Sequence, residues 1–336
     1  MSCFKHTCII LIALSSSLKC CSQERNFTAN KNKAIEDLKQ YTHRDTARAN
    51  ALINILRQAR FKKEYPQVLP YYEEAFLLSK QLGYSEGLAR CYMFKAFQAR
   101  AYLEHKTAVD NFDSAIIVLK HTATPVAAGI KADAFQFKGR TFHDMSNYYE
   151  ALLSYLEALK YFETRNTEKT SILYFNIANI SLNLNNYAQA LSYAKKNYTL
   201  CLEQLKKQSH VFESHMQMAD IHIQLKEYDQ AETYVNKATT YLPANEFRHA
   251  TLYNLYLKKG QVHYYQARYP EALQDLEMAK LNADSSGHTA NKAATLKWLS
   301  ETAMKMNRNE LALHYAQQAF ALVNDMPRNM IKQETM

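Results

Sequence analysis

Twelve histidines, 32 carboxylates and six cysteines give this 336-residue chain the material for catalysis or metal binding, but not the spacing. His210, Glu213 and His215 come nearest to a zinc-protease helix, yet two histidines must stand four apart to share its metal-binding face. No Gly-x-Gly-x-x-Gly turn or Gly-Lys-Ser/Thr phosphate loop occurs, and Gly83-Tyr84-Ser85-Glu86-Gly87, which spells Gly-x-Ser-x-Gly, follows a helical segment rather than the strand that a nucleophile elbow needs. Cys3, Cys8, Cys20 and Cys21 crowd the amino terminus. Only Cys91 and Cys201 lie beyond it, in no metal-ligand spacing. His143, His222 and His263 fall at matching points of a pattern described below. Stacked imidazoles would suit a metal, but packed planar side chains explain a shared slot more simply. Asn26-Phe27-Thr28, Asn179-Ile180-Ser181 and Asn197-Tyr198-Thr199 match the glycan-acceptor pattern, which has meaning only in a glycosylating host. The expectation is a non-enzyme with no cofactor and no metal.

The elements that position these residues follow from composition. The chain has 6 Gly and 6 Pro, where average usage at this length gives about 23 and 17. A doubly wound nucleotide-binding fold needs far more tight turns. Tyr 24 and Phe 15 against one Trp, with 47% hydrophobic residues, describe stacked helices. The predicted class is all-α. Basic residues exceed acidic ones, 41 to 32, for a net charge of +9. No run of five or six basic residues is present, so the concentrated stripe that nucleic acid requires is missing.

One motif recurs: an aromatic residue, Ala three positions on, a large or apolar residue four further, then Ala after three more. Tyr148, Ala151, Tyr155 and Ala158 are its clearest copy. Tyr228, Ala231, Val235, Ala238 and Tyr269, Ala272, Leu276, Ala279 repeat it. The leading slot falls at Tyr65, His105, Tyr148, Tyr187, Tyr228, Tyr269 and Asn309, at intervals of 40, 43, 39, 41, 41 and 40 residues. Nine residues earlier stand Ala96, Gly139, Ala178, Ala219, Gly260 and Ser300, with Leu56 the exception. Antiparallel helices close to about 8–10 Å only where small residues occupy the crossing. Pro66 and Pro270 follow their markers at helix starts, where a missing N–H is harmless. Pro70 should bend or fray the second helix of the first repeat.

This small–aromatic–small signature resembles the tetratricopeptide repeat. The long period is similar to that of peptide-regulated Rap-type proteins and of the sensor portions of some bacterial histidine kinases and regulators. The resemblance implies a right-handed α-solenoid of about seven helix-turn-helix units. Repeats would start near 49, 89, 132, 171, 212, 253 and 293, within an array spanning 49–326. A capping segment at 23–48 would precede the array and a polar tail at 327–336 follow it.

In this family the first helices line a concave groove at repeat positions two, five, nine and twelve. Carried onto this chain, the candidate partner-binding residues are Arg57, Arg60, Arg90, Phe97, Arg100, Gln136, Arg140, Asn179, Asp220, Gln261 and Tyr264. The arginines suit a carboxylate or phosphate. Gln136, Phe175 and Met216 stand where chaperone-binding members require Lys, which argues against a chaperone clamp. The implied function is a non-catalytic scaffold for a protein or peptide, acidic or with a free carboxylate. The alternative is a sensory subunit signalling to a separate histidine kinase or transcription-regulator chain.

Residues 1–22 read as a secretory signal peptide: a basic start at Lys5, an apolar run from Cys8 to Leu14, then small polar residues. The run is too short to span a bilayer. Export to the periplasm or medium is therefore expected, with cleavage after Ser22. Acylation at Cys20 or Cys21 fits less well, because Lys19 stands where a small residue is needed.

Overall fold

A computed structural model describes residues 27–59, 61–242, 248–286 and 289–324. Among these every regular element is helical. The signal segment at 1–22, the tail at 327–336 and Arg60 lie outside the described residues. A short helix, α1 (27–38), precedes seven helix pairs. These are α2 (Thr46–Leu56) with α3 (Tyr65–Gln81), α4 (Ser85–Ala101) with α5 (His105–Val118), and α6 (Pro125–Asp144) with α7 (Tyr148–Phe162). The series continues with α8 (Thr167–Asn183) and α9 (Tyr187–Leu200), then α10 (Gln208–Gln224) and α11 (Tyr228–Thr239). It ends with α12 (Arg248–Tyr265) and α13 (Tyr269–Ser286), then α14 (Thr289–Lys305) and α15 (Asn309–Asn324). This is an all-α helical-repeat solenoid. Each of the seven marker residues is the first residue of its pair's second helix.

The crossings are steric, as the small-residue pattern predicts. Ala151 and Ala190 are fully buried, as are Ala96, Ala178 and Ala219. A methyl group on Gly139 would lie 2.9 Å from the Tyr155 ring and 3.2 Å from the Ala151 carbonyl. One on Gly260 would meet Leu276 at 2.6 Å and the Ala272 carbonyl at 3.3 Å. In the last pair Ser300 reaches the corresponding carbonyl, donating its hydroxyl to Ala312 O at 2.9 Å. One approach is thus made three times, twice with Gly and once with Ser.

The turn inside six of the seven pairs, from α4–α5 onward, repeats as well. Leu103, Ser146, Asn185, Lys226, Ala267 and Asn307 are left-handed, with φ between 56° and 64°. Across them Glu104, Asn147, Asn186, Glu227, Arg268 and Arg308 donate N–H groups to carbonyls five residues back, at 2.8–2.9 Å. These bonds satisfy carbonyls that the first helix would leave orphaned at its end. None of the six is glycine, so the sequence carries no glycine signal there.

Pro70 does not fray the helix it enters. Helix α3 runs unbroken through it from Tyr65 to Gln81. The proline lies in the second turn and removes a single hydrogen bond, while buried Val68, Ala75 and Leu78 hold the helix against the core.

The chain divides into two compact units, residues 1–161 and 162–336. In unit 1, Phe27, Ala34 and Leu38 of α1 join Leu52, Ile55, Val68, Leu78 and Phe94 in one core. A second core gathers Ala96, Ala108, Phe112, Ala115, Leu119 and Ile130. Unit 2 packs Phe212, Ala219, Ala231, Val235, Leu255 and Val262 in one core, and Leu276, Leu296, Leu299 and Ala303 in another.

Candidate partner-binding faces

Within each unit the first helices of successive pairs touch, forming a row. In unit 1, α4 touches both α2 and α6; in unit 2, α8, α10, α12 and α14 touch in sequence. The candidate residues described by the structure all stand on these rows or at a row helix's C-terminal cap, and many of them link one first helix to the next.

Phe97 on α4 lies edge-on to Phe137 of α6, ring centroids 4.7 Å apart, and to Phe112 at 5.7 Å. Its ring is packing material. Arg100 pairs with Asp144 of α6 at 2.7 Å, so its guanidinium is engaged within the unit. Gln136 is buried, and its Oε1 has no hydrogen-bond partner. Among the described residues Arg90 meets neutral groups, donating to Asn50 Oδ1 and to the Tyr84 hydroxyl, each at 3.4 Å. Arg57 and Arg140 are exposed, with no side-chain hydrogen bond or ion pair among the described residues.

Unit 2 places its candidates in polar couplings. Gln217 of α10 donates Nε2 to Asn179 Oδ1 of α8 at 2.7 Å and to Phe175 O at 2.8 Å. Asp220 is bound by Lys258 of α12, which also donates to Gln261 Oε1 at 3.0 Å. Tyr264 sits edge-on to Trp298 of α14, at 5.4 Å. The position-nine residues Phe97, Asn179 and Asp220 therefore each meet the position-six residue of the next first helix: Phe137, Gln217 and Lys258. Sequence reasoning named the position-nine residues as partner contacts and missed their position-six mates. The signal was available in the offsets of 40, 38 and 38 residues between residue types that complement each other.

The three histidines do not share one slot: His222 and His263 stand six residues before Tyr228 and Tyr269, a place held by Phe142 in the third repeat, and His143 stands five before Tyr148. His222 stacks on Tyr234 at 5.2 Å and bonds Glu227 through Nδ1 at 2.6 Å. His143 tilts against Tyr148 at 5.8 Å. His263 instead lies between Asp275, at 2.7 Å, and Glu232, at 3.6 Å. Among the described residues no cluster of three or more His, Cys, Asp and Glu side chains could hold a metal. Burial pushes the Cys91 thiol up to about 12. Burial likewise raises Cys201, so both thiols stay protonated and unreactive near neutrality.

Residues 212–245 match the family model described as Tetratricopeptide repeat. That segment begins at the expected start of the fifth repeat and takes in most of α10 and all of α11. The fold is that of a tetratricopeptide-repeat array. The apo form of RapI is similar, at TM-score 0.71 and 19% identity, over 92% of this chain and 84% of that one. The apo quorum sensor NprR from B. thuringiensis matches at TM-score 0.62 and 14% identity, over 84% of this chain and 78% of that one. The Rap conjugation gene regulator of plasmid pLS20, in complex with the Phr* peptide, matches at 0.52 and 12%, over 93% and 98%. At these identities the likeness is one of fold. No curated protein matches the sequence. Among the described residues no helix of the array is long and apolar enough to cross a membrane.

Proposed function

We propose that the array is a non-catalytic scaffold, acting outside the cytoplasm, that binds an acidic protein segment or a free carboxylate on the first-helix row of unit 1. The observation that carries this reading is the set Arg57, Arg90 and Arg140. Among the described residues two are exposed with no side-chain hydrogen bond or ion pair, Arg90 is held by neutral oxygens, and none of the three is paired with a carboxylate. A guanidinium fork with unfilled donors matches a carboxylate bidentately. Arg100 is left out of this set because Asp144 already occupies it. The extracellular part of the reading rests on the basic–apolar–small order of residues 1–22.

Binding of an acidic peptide with a free C-terminus, followed by calorimetry on the purified chain, tests the face. Arg90→Glu with Arg140→Glu should weaken it about tenfold or more, with helicity unchanged. Lys160→Glu with Lys237→Glu should do little. Equal losses from both pairs would mean that net charge, rather than this face, recognises the peptide. For export, the mass of the protein from its native host should begin near Gln23; an intact Met1 on a cytoplasmic protein defeats that part alone.

The likeness to a quorum sensor and to a Rap regulator solved with a peptide favours a second reading. In it the array senses a peptide and passes the signal to a separate histidine kinase or transcription-regulator chain. Co-purification of such a chain that is released by peptide would select it over the plain scaffold.

A further inference from the structure

Trp298, the chain's single tryptophan, stands on the first-helix row of unit 2 against Tyr264 and Tyr265. The three rings are nearly perpendicular to one another. Tyr264 and Tyr265 meet at 5.6 Å and 82°, and each meets Trp298 at 77°, at 5.4 and 5.8 Å respectively. Tyr228 lies parallel on Tyr265 at 5.2 Å. Tyr265 is 41% exposed, while Tyr264 and Trp298 are half-buried. Tyr264 is also met by Tyr269 at 5.7 Å, so Tyr265, the most exposed of the three, carries most of the accessible ring surface and its negative quadrupole.

At other rings among the described residues a cation occupies the face. Lys95 sits over Tyr72 at 4.7 Å, Lys196 over Tyr193 at 5.2 Å and Lys237 over Tyr234 at 5.7 Å. Among the described residues no Lys or Arg lies over Tyr264, Tyr265 or Trp298. A carboxylate stands beside these rings. Burial first and then the charge of Glu301 push the Tyr264 phenol up; burial, Tyr228 and Glu301 do the same to Tyr265. Glu301 follows Trp298 by three residues on α14, on the same side of the helix. Its cation among the described residues is Lys297, 3.9 Å away on a side chain that is 73% exposed. A contact that long and that wet contributes little, and a better-placed cation would displace it.

We infer that this face docks a cationic side chain, an arginine or lysine presented by a basic segment of a protein partner. Tryptophan and tyrosine faces attract a cation electrostatically, and a neighbouring carboxylate adds to that field. Neutral stacking ligands would use the rings but gain nothing from Glu301. Tyr and Trp also give large contact area at low conformational cost, which is why they anchor interfaces. The inference deepens the scaffold reading by assigning chemistry to unit 2, and it uses none of the unit 1 arginines.

Because Trp298 is the single tryptophan, its emission reports on this site alone. The full chain is titrated with an acetylated, amidated tetra-arginine peptide and with the tetra-citrulline peptide, which keeps the shape and loses the charge. A saturable change in Trp298 emission is expected with arginine, with citrulline about tenfold weaker. Glu301→Gln should weaken the arginine titration about fivefold, with the far-ultraviolet circular dichroism unchanged. Tyr265→Leu should weaken it as well. Arg90→Glu with Arg140→Glu should leave it unaltered, so failure here and failure of the unit 1 face are told apart. Equal affinity for citrulline, an unaltered titration in Glu301→Gln, or no emission change at about millimolar peptide would each overturn the proposal.

Discussion

In unit 1 the first helices meet ring to ring, Phe97 on Phe137, beside the Arg100–Asp144 pair. At the equivalent position in unit 2, α8 with α10 and α10 with α12 meet through amides and charges, Asn179 with Gln217 and Asp220 with Lys258, while α12 meets α14 ring to ring at Tyr264 and Trp298. One backbone frame therefore accepts two kinds of seam. An aromatic seam needs only shape and burial. A polar seam needs every donor matched to an acceptor, because a buried group left unpaired costs more than the bond itself contributes. The outward chemistry differs too: unit 1 leaves arginines uncompensated, whereas unit 2 leaves aromatic faces beside Glu301.

The strongest test of this contrast is at Phe112, which is fully buried and touches Phe97 and Phe137. Phe112→Ala should cost about 3–5 kcal/mol, read from chemical denaturation. A loss below about 1 kcal/mol would remove the aromatic seam from the account of unit 1.

Next in size are Ala151→Leu in unit 1 and Ala190→Leu in unit 2. Both sites are fully buried at crossings, so each substitution should cost about 1–3 kcal/mol despite the different seams. Unequal costs would show that the crossing is not shared by the two units.

Gln217→Leu should then cost about 1–2 kcal/mol by stripping Asn179 Oδ1 of its donor. Adding Asn179→Leu should recover part of that loss. If the double variant is simply the sum of the two singles, the pair is not a coupled seam.

A smaller gain is expected at Leu103, a left-handed residue that is largely exposed. Leu103→Asn should stabilise unit 1 by about 1 kcal/mol, seen as a raised midpoint. Asn185→Leu should lose a similar amount in unit 2, since Asn185 has the same backbone conformation.

The smallest contrast is in pH. His215 of unit 2 is buried against Tyr241, and burial lowers it from 6.5. Its folded state therefore prefers the neutral ring, and the unfolded chain takes up the proton first. Stability from this residue is full above about pH 6.5 and falls as pH drops below it. Thermal midpoints measured between about pH 7.5 and 5.5 should fall less steeply in His215→Gln than in the parent. Parallel slopes would clear His215 of the effect.

The period, the helix starts and the crossings were legible from sequence, because each depends on one residue's size at one recurring place. A ring at Tyr148 and small residues at Gly139 and Ala151 constrain the local pair whatever surrounds it. The turns were hidden because left-handed geometry fell on Leu103, Lys226 and Ala267, where no glycine marks it. The partner faces were only half legible. A repeat position says which way Arg100 or Asp220 points, but not that Asp144 or Lys258 has already taken its charge. That choice belongs to the neighbouring first helix, about 40 residues away. Only tertiary structure brings the two within bonding distance, and the free charge that remains on a surface is what such pairing leaves over.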